Sequence, residues 1–202
     1  MRHGQDIPLG HPETHSPENP KIEIYSGLNE HFASQLIEKS RQETMLRYVP
    51  DDASRRFKDD DSINQWLTNR DVFLLTDGQS LDLGGIIWYG PKGFPQELPN
   101  HLIRQLGIPS HTFAIRLYDG YRGQGLAKDF MRETFGAYMW HMYQQGQLRN
   151  YTGLWLRVSE DNPAAIQAYT DFGFVEAARD DENHIIFMIL SRKTSEEILS
   201  GV

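Results

Sequence analysis

Residues 122–127 read Arg-Gly-Gln-Gly-Leu-Ala, and the hydrophobic period changes across them. On the approach, Phe113, Ile115 and Leu117 alternate with Thr112, Ala114 and Arg116, the period of a β-strand. On the exit, Leu126, Phe130, Tyr138 and Met142 carry apolar side chains through a stretch free of proline, the habit of a packed helix. A glycine turn that opens a helix points free backbone N–H groups and the positive dipole end at one spot, which makes an anion site. Gly123 and Gly125 remove the side chains that would hold a phosphate away from the backbone, and Arg122 adds a full positive charge. The spacing is neither Gly-x-x-x-x-Gly-Lys-Ser/Thr nor Gly-x-Gly-x-x-Gly. A triphosphate P-loop and a dinucleotide-binding Rossmann turn are both disfavoured.

A second segment has the same strand-to-helix order. Gly153–Val158 alternates as a strand, and Ser159 to Phe174 follow as Ser-Glu-Asp-Asn-Pro-Ala-Ala-Ile-Gln-Ala-Tyr-Thr-Asp-Phe-Gly-Phe. Asn162 is a good N-cap and Pro163 a good first helical residue. Ala165, Ile166, Tyr169 and Phe172 share one helical face, and Gly173 stands where a helix closes on glycine. The pair of motifs, Arg-x-x-Gly-x-Ala after one strand and Asn-x-x-Ala-x-x-x-Tyr-x-x-x-Gly-Phe after the next, resembles the GNAT superfamily of acyl-CoA-dependent N-acyltransferases. The resemblance covers roughly residues 72–190 and is nearly silent on substrate.

The resemblance implies acetyl-CoA or another acyl-CoA as co-substrate. Arg122, Gly123, Gln124, Gly125, Leu126 and Ala127 would then receive the pyrophosphate. The main chain at Ile115 and Leu117 would pair with the pantetheine arm, which Asn162 would also touch beside its capping role. Tyr169 corresponds to the family tyrosine that protonates the departing thiolate; the alternative is a core helix aromatic. Some family members place a carboxylate base on the strand before the phosphate turn. This chain has Thr112, Ala114 and Arg116 there, which puts such a base in doubt. His111 at the start of that strand is a candidate base, with a water chain as the alternative. Arg116 and Arg157 sit in the polar phase of their strands. Either holds a substrate carboxylate bidentately or forms a structural ion pair.

The rest of the chain bounds these expectations. It has no cysteine, which excludes disulfides, thiolate metal sites and an acyl-cysteine intermediate. Its histidines include no His-Glu-x-x-His spacing, and no metal is expected. A net charge of −8 argues against a nucleic-acid partner and favours cationic substrates, although solubility alone accounts for such a charge. No apolar run approaches a membrane span and no secretory signal is apparent, so a cytoplasmic protein is expected.

Residues 1–19 read as a polar tail, 20–192 as a single domain and 193–202 as a polar end. The expected order is β-α-α-β-β-β-α-β-α-β-β, an α/β (α+β) fold with a central mixed sheet splayed at the cofactor cleft. Residues 90–111 form a long connection with a short helix at His101–Leu106, a length usually functional or lid-forming. The expected activity is transfer of an acyl group, acetyl in the first instance, to a small-molecule amine by direct attack. A protein N-terminus or lysine is an alternative acceptor, and a catalytically silent acyl-CoA-binding module is the rival of another class. A homodimer is left open.

Overall fold

The computed structural model describes residues 22–201, so the expected tail at 1–19 lies outside the described residues. The chain divides into two compact units. The first holds residues up to Trp88 together with Ile115–Leu126, and the second holds Tyr89–Ala114 and everything from Ala127 onward.

In the first unit, strand β1 (Ile22–Ser26) is antiparallel to β2 (Asp71–Asp77), with Ile24 opposite Leu75. The strands are ordered β1-β2-β3-β4, where β3 is Leu83–Pro91 and β4 is His111–Leu117; both pass into the second unit. Helix α1 (Glu30–Lys39) starts where the Asn29 side chain accepts from the Phe32 N–H, and it buries Phe32 and Leu36. Helix α3 (Asp60–Leu67) is capped by Asp59 and buries Ile63 and Trp66. Trp66 meets Phe57 at 4.9 Å and Trp88 at 5.1 Å, both nearly edge-to-face, the favoured geometry for aromatic pairs. Between these helices lie α2 (Glu43–Tyr48) and a π-helical turn over Asp52–Arg56. The acidic composition there reads as turn. The structure makes it helical because Asp52 is buried and neutralised by arginines.

In the second unit the order is β3-β4-β5-β7-β6, with β5 at Gly153–Ser159, β6 at Val175–Asp180 and β7 at Ile185–Ser191. The β5–β7 and β6–β7 pairs are antiparallel, and the latter carries a bulge at Glu176/Ala178. The β4–β5 ladder is parallel and short, with His111 opposite Leu154 and Thr112 opposite Trp155. The sheet is therefore mixed, as expected. Helix α5 (Leu126–Gln144) buries Phe130, Phe135, Tyr138 and Met142. Helix α6 (Pro163–Phe172) closes on Gly173 at φ +113°, and its Cβ position lies 3.0 Å from Thr194 Cγ2, so glycine is needed there for shape as well as for angle.

One segment differs from the sequence expectation, and the long connection has the short helix expected of it. The polar end forms helix α7 (Arg192–Ser200), capped by Ser191 and closed by Gly201, with Ser195 buried and bonded to the Tyr151 hydroxyl. Capping and one buried face outweigh the polar composition. The long connection forms helix α4 (Asn100–Leu106) and packs Phe94, Leu98 and Leu106 against Trp155, Phe187 and Ile189. Its start is tied down by the Trp155 indole N–H, which donates to the Lys92 carbonyl at 2.8 Å. The segment covers the sheet of its own unit.

Candidate functional site

The glycine turn stands in the first unit, directly before α5. Gly120, Gly123 and Gly125 all have positive φ (91°, 75° and 76°), whereas Arg122 and Gln124 do not. That alternation turns successive amides toward one side, the geometry of an anion-binding nest. No atom lies within 4 Å of a Cβ built on Gly123 or Gly125, so the surface above both is open. Arg122 and Gln124 are exposed beside it, and Leu126 begins the helix. The turn is fixed from behind. The Tyr118 N–H donates to the Gly84 carbonyl at 2.9 Å, and Asp119 N–H donates to Gln42 Oε1 at 3.1 Å.

Upstream on β4, Ile115 and Leu117 are half-buried, and Arg116 turns to the π-helical turn. Arg116 Nε donates to Asp52 Oδ2 at 2.6 Å, and Arg56 Nη1 donates to Asp52 Oδ1 at 2.6 Å. Asp52 is 1% exposed, so both carboxylate oxygens are held by cations away from water. The Arg116 guanidinium lies 4.8 Å over the Trp88 ring, and its Nη1 donates to the Ile115 carbonyl at 2.9 Å. Of the two readings of Arg116, this is the ion-pair geometry. The acid comes from the π-helical turn, 64 residues away in the chain.

The second unit holds the other candidates. Asn162 Oδ1 accepts from the Ala165 N–H at 3.2 Å, the expected cap. Tyr169 is 6% exposed on α6, with its ring edge-on to Phe113 at 6.1 Å and near Phe174 at 6.0 Å. Ala127 is in the first turn of α5, and Arg157 is exposed on β5 opposite Phe187.

His111 is buried between the rings of Tyr151 and Tyr138. Its Nδ1 lies 2.8 Å from Ser110 Oγ, which donates to the Asn150 carbonyl and accepts from the Thr152 N–H. A serine has one proton to give, so this donor count assigns the imidazole proton to Nδ1 and leaves Nε2 with the lone pair.

Burial pulls the His111 imidazole below its ordinary value. The unfolded chain takes up a proton near pH 6.5 while the folded ring stays neutral to lower pH. The unfolded state therefore binds more protons in that window, and stability contributed by His111 is lost as pH falls from about 6.5 through the folded value. His111→Gln is expected to flatten this part of the melting temperature against pH. A slope as steep as that of the wild type would assign the acid sensitivity to other groups.

Sequence reasoning missed Asp52 and Arg56 as partners of β4, although the four-residue spacing of Asp51/Arg55 and Asp52/Arg56 was a readable helical pairing signal. It also missed the support beneath the turn at Gly84. Among the described residues, no group of three or more His, Asp or Glu side chains is arranged to hold a metal, and no helix is long and apolar enough to cross a membrane.

No protein-family model and no curated protein sequence matches the chain. Solved structures do match it. The spermidine N-acetyltransferase of Vibrio cholerae in complex with CoA and spermine is similar at TM-score 0.60 and 17% identity, over 88% of this chain and 99% of that one. The aminoglycoside acetyltransferase AAC(6')-Ib in complex with coenzyme A and kanamycin is similar at TM-score 0.58 and 14% identity, over 86% and 98% of the two chains. An uncharacterised protein of Bacillus halodurans is similar at TM-score 0.57 and 11% identity, over 89% of each chain. The chain has the GNAT fold that the two acetyltransferases share.

Proposed function

We propose that this protein is an acyl-CoA-dependent N-acyltransferase, with acetyl as the transferred group and a small-molecule primary amine as acceptor. The observation that carries the reading is the open glycine turn at the start of α5, with Gly123 and Gly125 in left-handed conformations and clear space above them. The solved neighbours support it. One was crystallised with CoA and spermine and another with coenzyme A and kanamycin, and both ligands paired with CoA are amines. A cytoplasmic setting belongs to the same proposal.

In this reading the amides of residues 122–127 and the Arg122 guanidinium hold the pyrophosphate, and main-chain groups at Ile115 and Leu117 align the pantetheine arm. Asn162 contacts that arm as well as capping α6. The amine nitrogen attacks the thioester carbon, the C–S bond breaks, and the sulfur leaves with the electron pair. Tyr169 gives its phenolic proton to that sulfur. The proton lost by the amine goes to His111 Nε2 or to water. The ion pair with Asp52 favours a supporting part for Arg116, while Arg157 remains a candidate for holding an acidic group on the acceptor. Bringing both reactants into one geometry supplies much of the rate.

The size of the Tyr169 effect is bounded by chemistry. A thiol of pKa about 8.5 leaves as a tolerable anion, and a phenol near 10 is a modest donor. Tyr169→Phe is expected to lower kcat toward the bottom of the ~10²–10⁴ range for acid–base residues. Coenzyme A affinity should hold, because the hydroxyl acts as charge develops on sulfur. The ring contacts with Phe113 and Phe174 remain, so the melting temperature should hold too. Steady-state kinetics beside a melting curve checks this. Unchanged turnover with chemistry rate-limiting would remove Tyr169 from the mechanism.

A further inference from the structure

The glycine turn is anchored at its start, where the Tyr118 and Asp119 N–H groups are bonded and the Gln124 side-chain amide donates to the Gly120 carbonyl, but its two later glycines have no such tie. Glycine backbones are the loosest in a chain, and at Gly123 and Gly125 no side chain or neighbouring segment stands close. Yet amide donors hold an anion only within a few tenths of an ångström of hydrogen-bonding distance. Something must set the height of residues 122–126.

The residue immediately before them is Tyr121, and it is 9% exposed although it sits in a surface turn. Its ring lies flush on Gly84, the second residue of β3. A Cβ built on Gly84 would stand 2.5 Å from ring Cε1 and 2.7 Å from Cγ, closer than any real side chain allows. Glycine is therefore what lets the ring seat on the strand. The same glycine holds the other end of the turn, because its carbonyl accepts from the Tyr118 N–H at 2.9 Å. Between those two points, Tyr121 N–H donates to the Tyr118 carbonyl at 3.0 Å, and Gly120 at φ +91° occupies the third position. That is a type II turn, in which the third residue needs a positive φ.

The hydroxyl end of Tyr121 reaches the β2–β3 hairpin, beside the Asp82 carboxylate and the Asp77 backbone. Asp82 is itself held by Lys39 of α1 at 2.8 Å. Burial together with Asp82 pushes the Tyr121 phenol up to about 12, so it stays protonated and able to donate. One side chain thus connects the turn to a strand, a hairpin and, through Asp82, a helix.

We propose that Tyr121, seated on Gly84, is the positioning residue for the phosphate-binding turn, so that it governs affinity for the pyrophosphate part of the cofactor alone. This rests on the reading of residues 122–127 as the pyrophosphate site. A positioning role that acts through the turn makes a specific demand: loosening the seat must weaken coenzyme A and leave pantetheine, which lacks the pyrophosphate, untouched.

The test compares dissociation constants for coenzyme A, by calorimetry, and for pantetheine, by ligand-observed NMR. The wild type is expected to bind coenzyme A far more tightly than pantetheine. Gly84→Ala, which unseats the ring, and Tyr121→Leu, which removes it, are each expected to weaken coenzyme A about tenfold, a shift that a few tenths of an ångström at several amides readily produces. Pantetheine affinity should not move. Tyr121→Phe keeps the seated ring and should restore most of the coenzyme A affinity. Tyr118→Phe is the control in the same turn. Tyr118 Oη is the one buried side-chain polar atom without a hydrogen-bond partner among the described residues, so its loss should change neither constant. A wild type that binds the two ligands equally would overturn the pyrophosphate site and this proposal with it. A wild type that prefers coenzyme A, with folded Gly84→Ala and Tyr121→Leu variants that keep the full preference, would overturn the role of Tyr121 and leave the site standing. Equal weakening of both ligands would also overturn it, because that is the signature of general loosening.

Discussion

Gly125→Glu is expected to abolish measurable coenzyme A binding in a protein that remains folded. The substitution brings a carboxylate to the place where the account puts a pyrophosphate, and like charges at a desolvated contact repel strongly. It also strains the backbone, since Gly125 has φ +76° and a side chain at positive φ costs roughly 1–2 kcal/mol. Steric exclusion within the protein is not part of the effect, because the Cβ position has no neighbour within 4 Å. The combined loss in affinity should be at least about 100-fold, or ~2.7 kcal/mol. The strain alone lowers the melting temperature by only about 2–8 °C for a chain of this length. Gly125→Ala separates the two contributions, as it carries the strain without the charge and should lose much less affinity. Calorimetry on both variants decides the matter, and unchanged affinity in folded Gly125→Glu would place the cofactor elsewhere.

The second large effect is on stability. Asp52→Ala removes a carboxylate held by two guanidinium groups, Arg56 at 2.6 Å and Arg116 at 2.6 Å, in a position 1% exposed to water. Breaking a buried ion pair by deleting one partner leaves uncompensated charge in a low-dielectric site and costs about 3–5 kcal/mol. Spread over a chain of this size, that is a fall in melting temperature of roughly 6–20 °C. Asp52→Asn should fall nearly as far, because the amide turns an N–H₂ toward a guanidinium. Arg116→Ala added to Asp52→Ala should cost much less than the sum of the single changes, since the second deletion removes a charge that the first left stranded. Thermal unfolding of Asp52→Ala, Arg116→Ala and the double variant tests this, and strict additivity would show that Arg116 does not depend on Asp52.

These two cases also mark where reading the sequence succeeds and where it stops. The glycine turn and the α6 motif are legible because their determinants are local. Asn162, Pro163 and Gly173 act on the ten residues between cap and close, and the structure has the helix over Pro163–Phe172. The alternating periods before the two motifs gave β4 and β5 to within a residue for the same reason. Asp52 was illegible as a partner of Arg116. An aspartate in an acidic run looks like solvated surface, and only the fold brings β4 across to neutralise it. Gly84 was illegible as a seat, because a glycine within an apolar strand records a close approach without naming what approaches. Helix α7 fell between these cases. Its cap and closing glycine were present in the sequence, but nothing local marked Ser195 as buried against Tyr151.

The reaction itself is most directly tested by thiol release. Purified protein is mixed with acetyl-CoA and a panel of primary amines that includes polyamines, aminoglycosides, amino acids and a lysine-containing peptide, and free coenzyme A thiol is followed over time. The account expects amine-dependent release with at least one small-molecule amine, one acetylated amine formed per thiol released, and loss of the activity in Gly125→Glu. Tight coenzyme A binding with no amine-dependent release across the panel would contradict an acyltransferase and leave a module that binds acyl-CoA without turning it over.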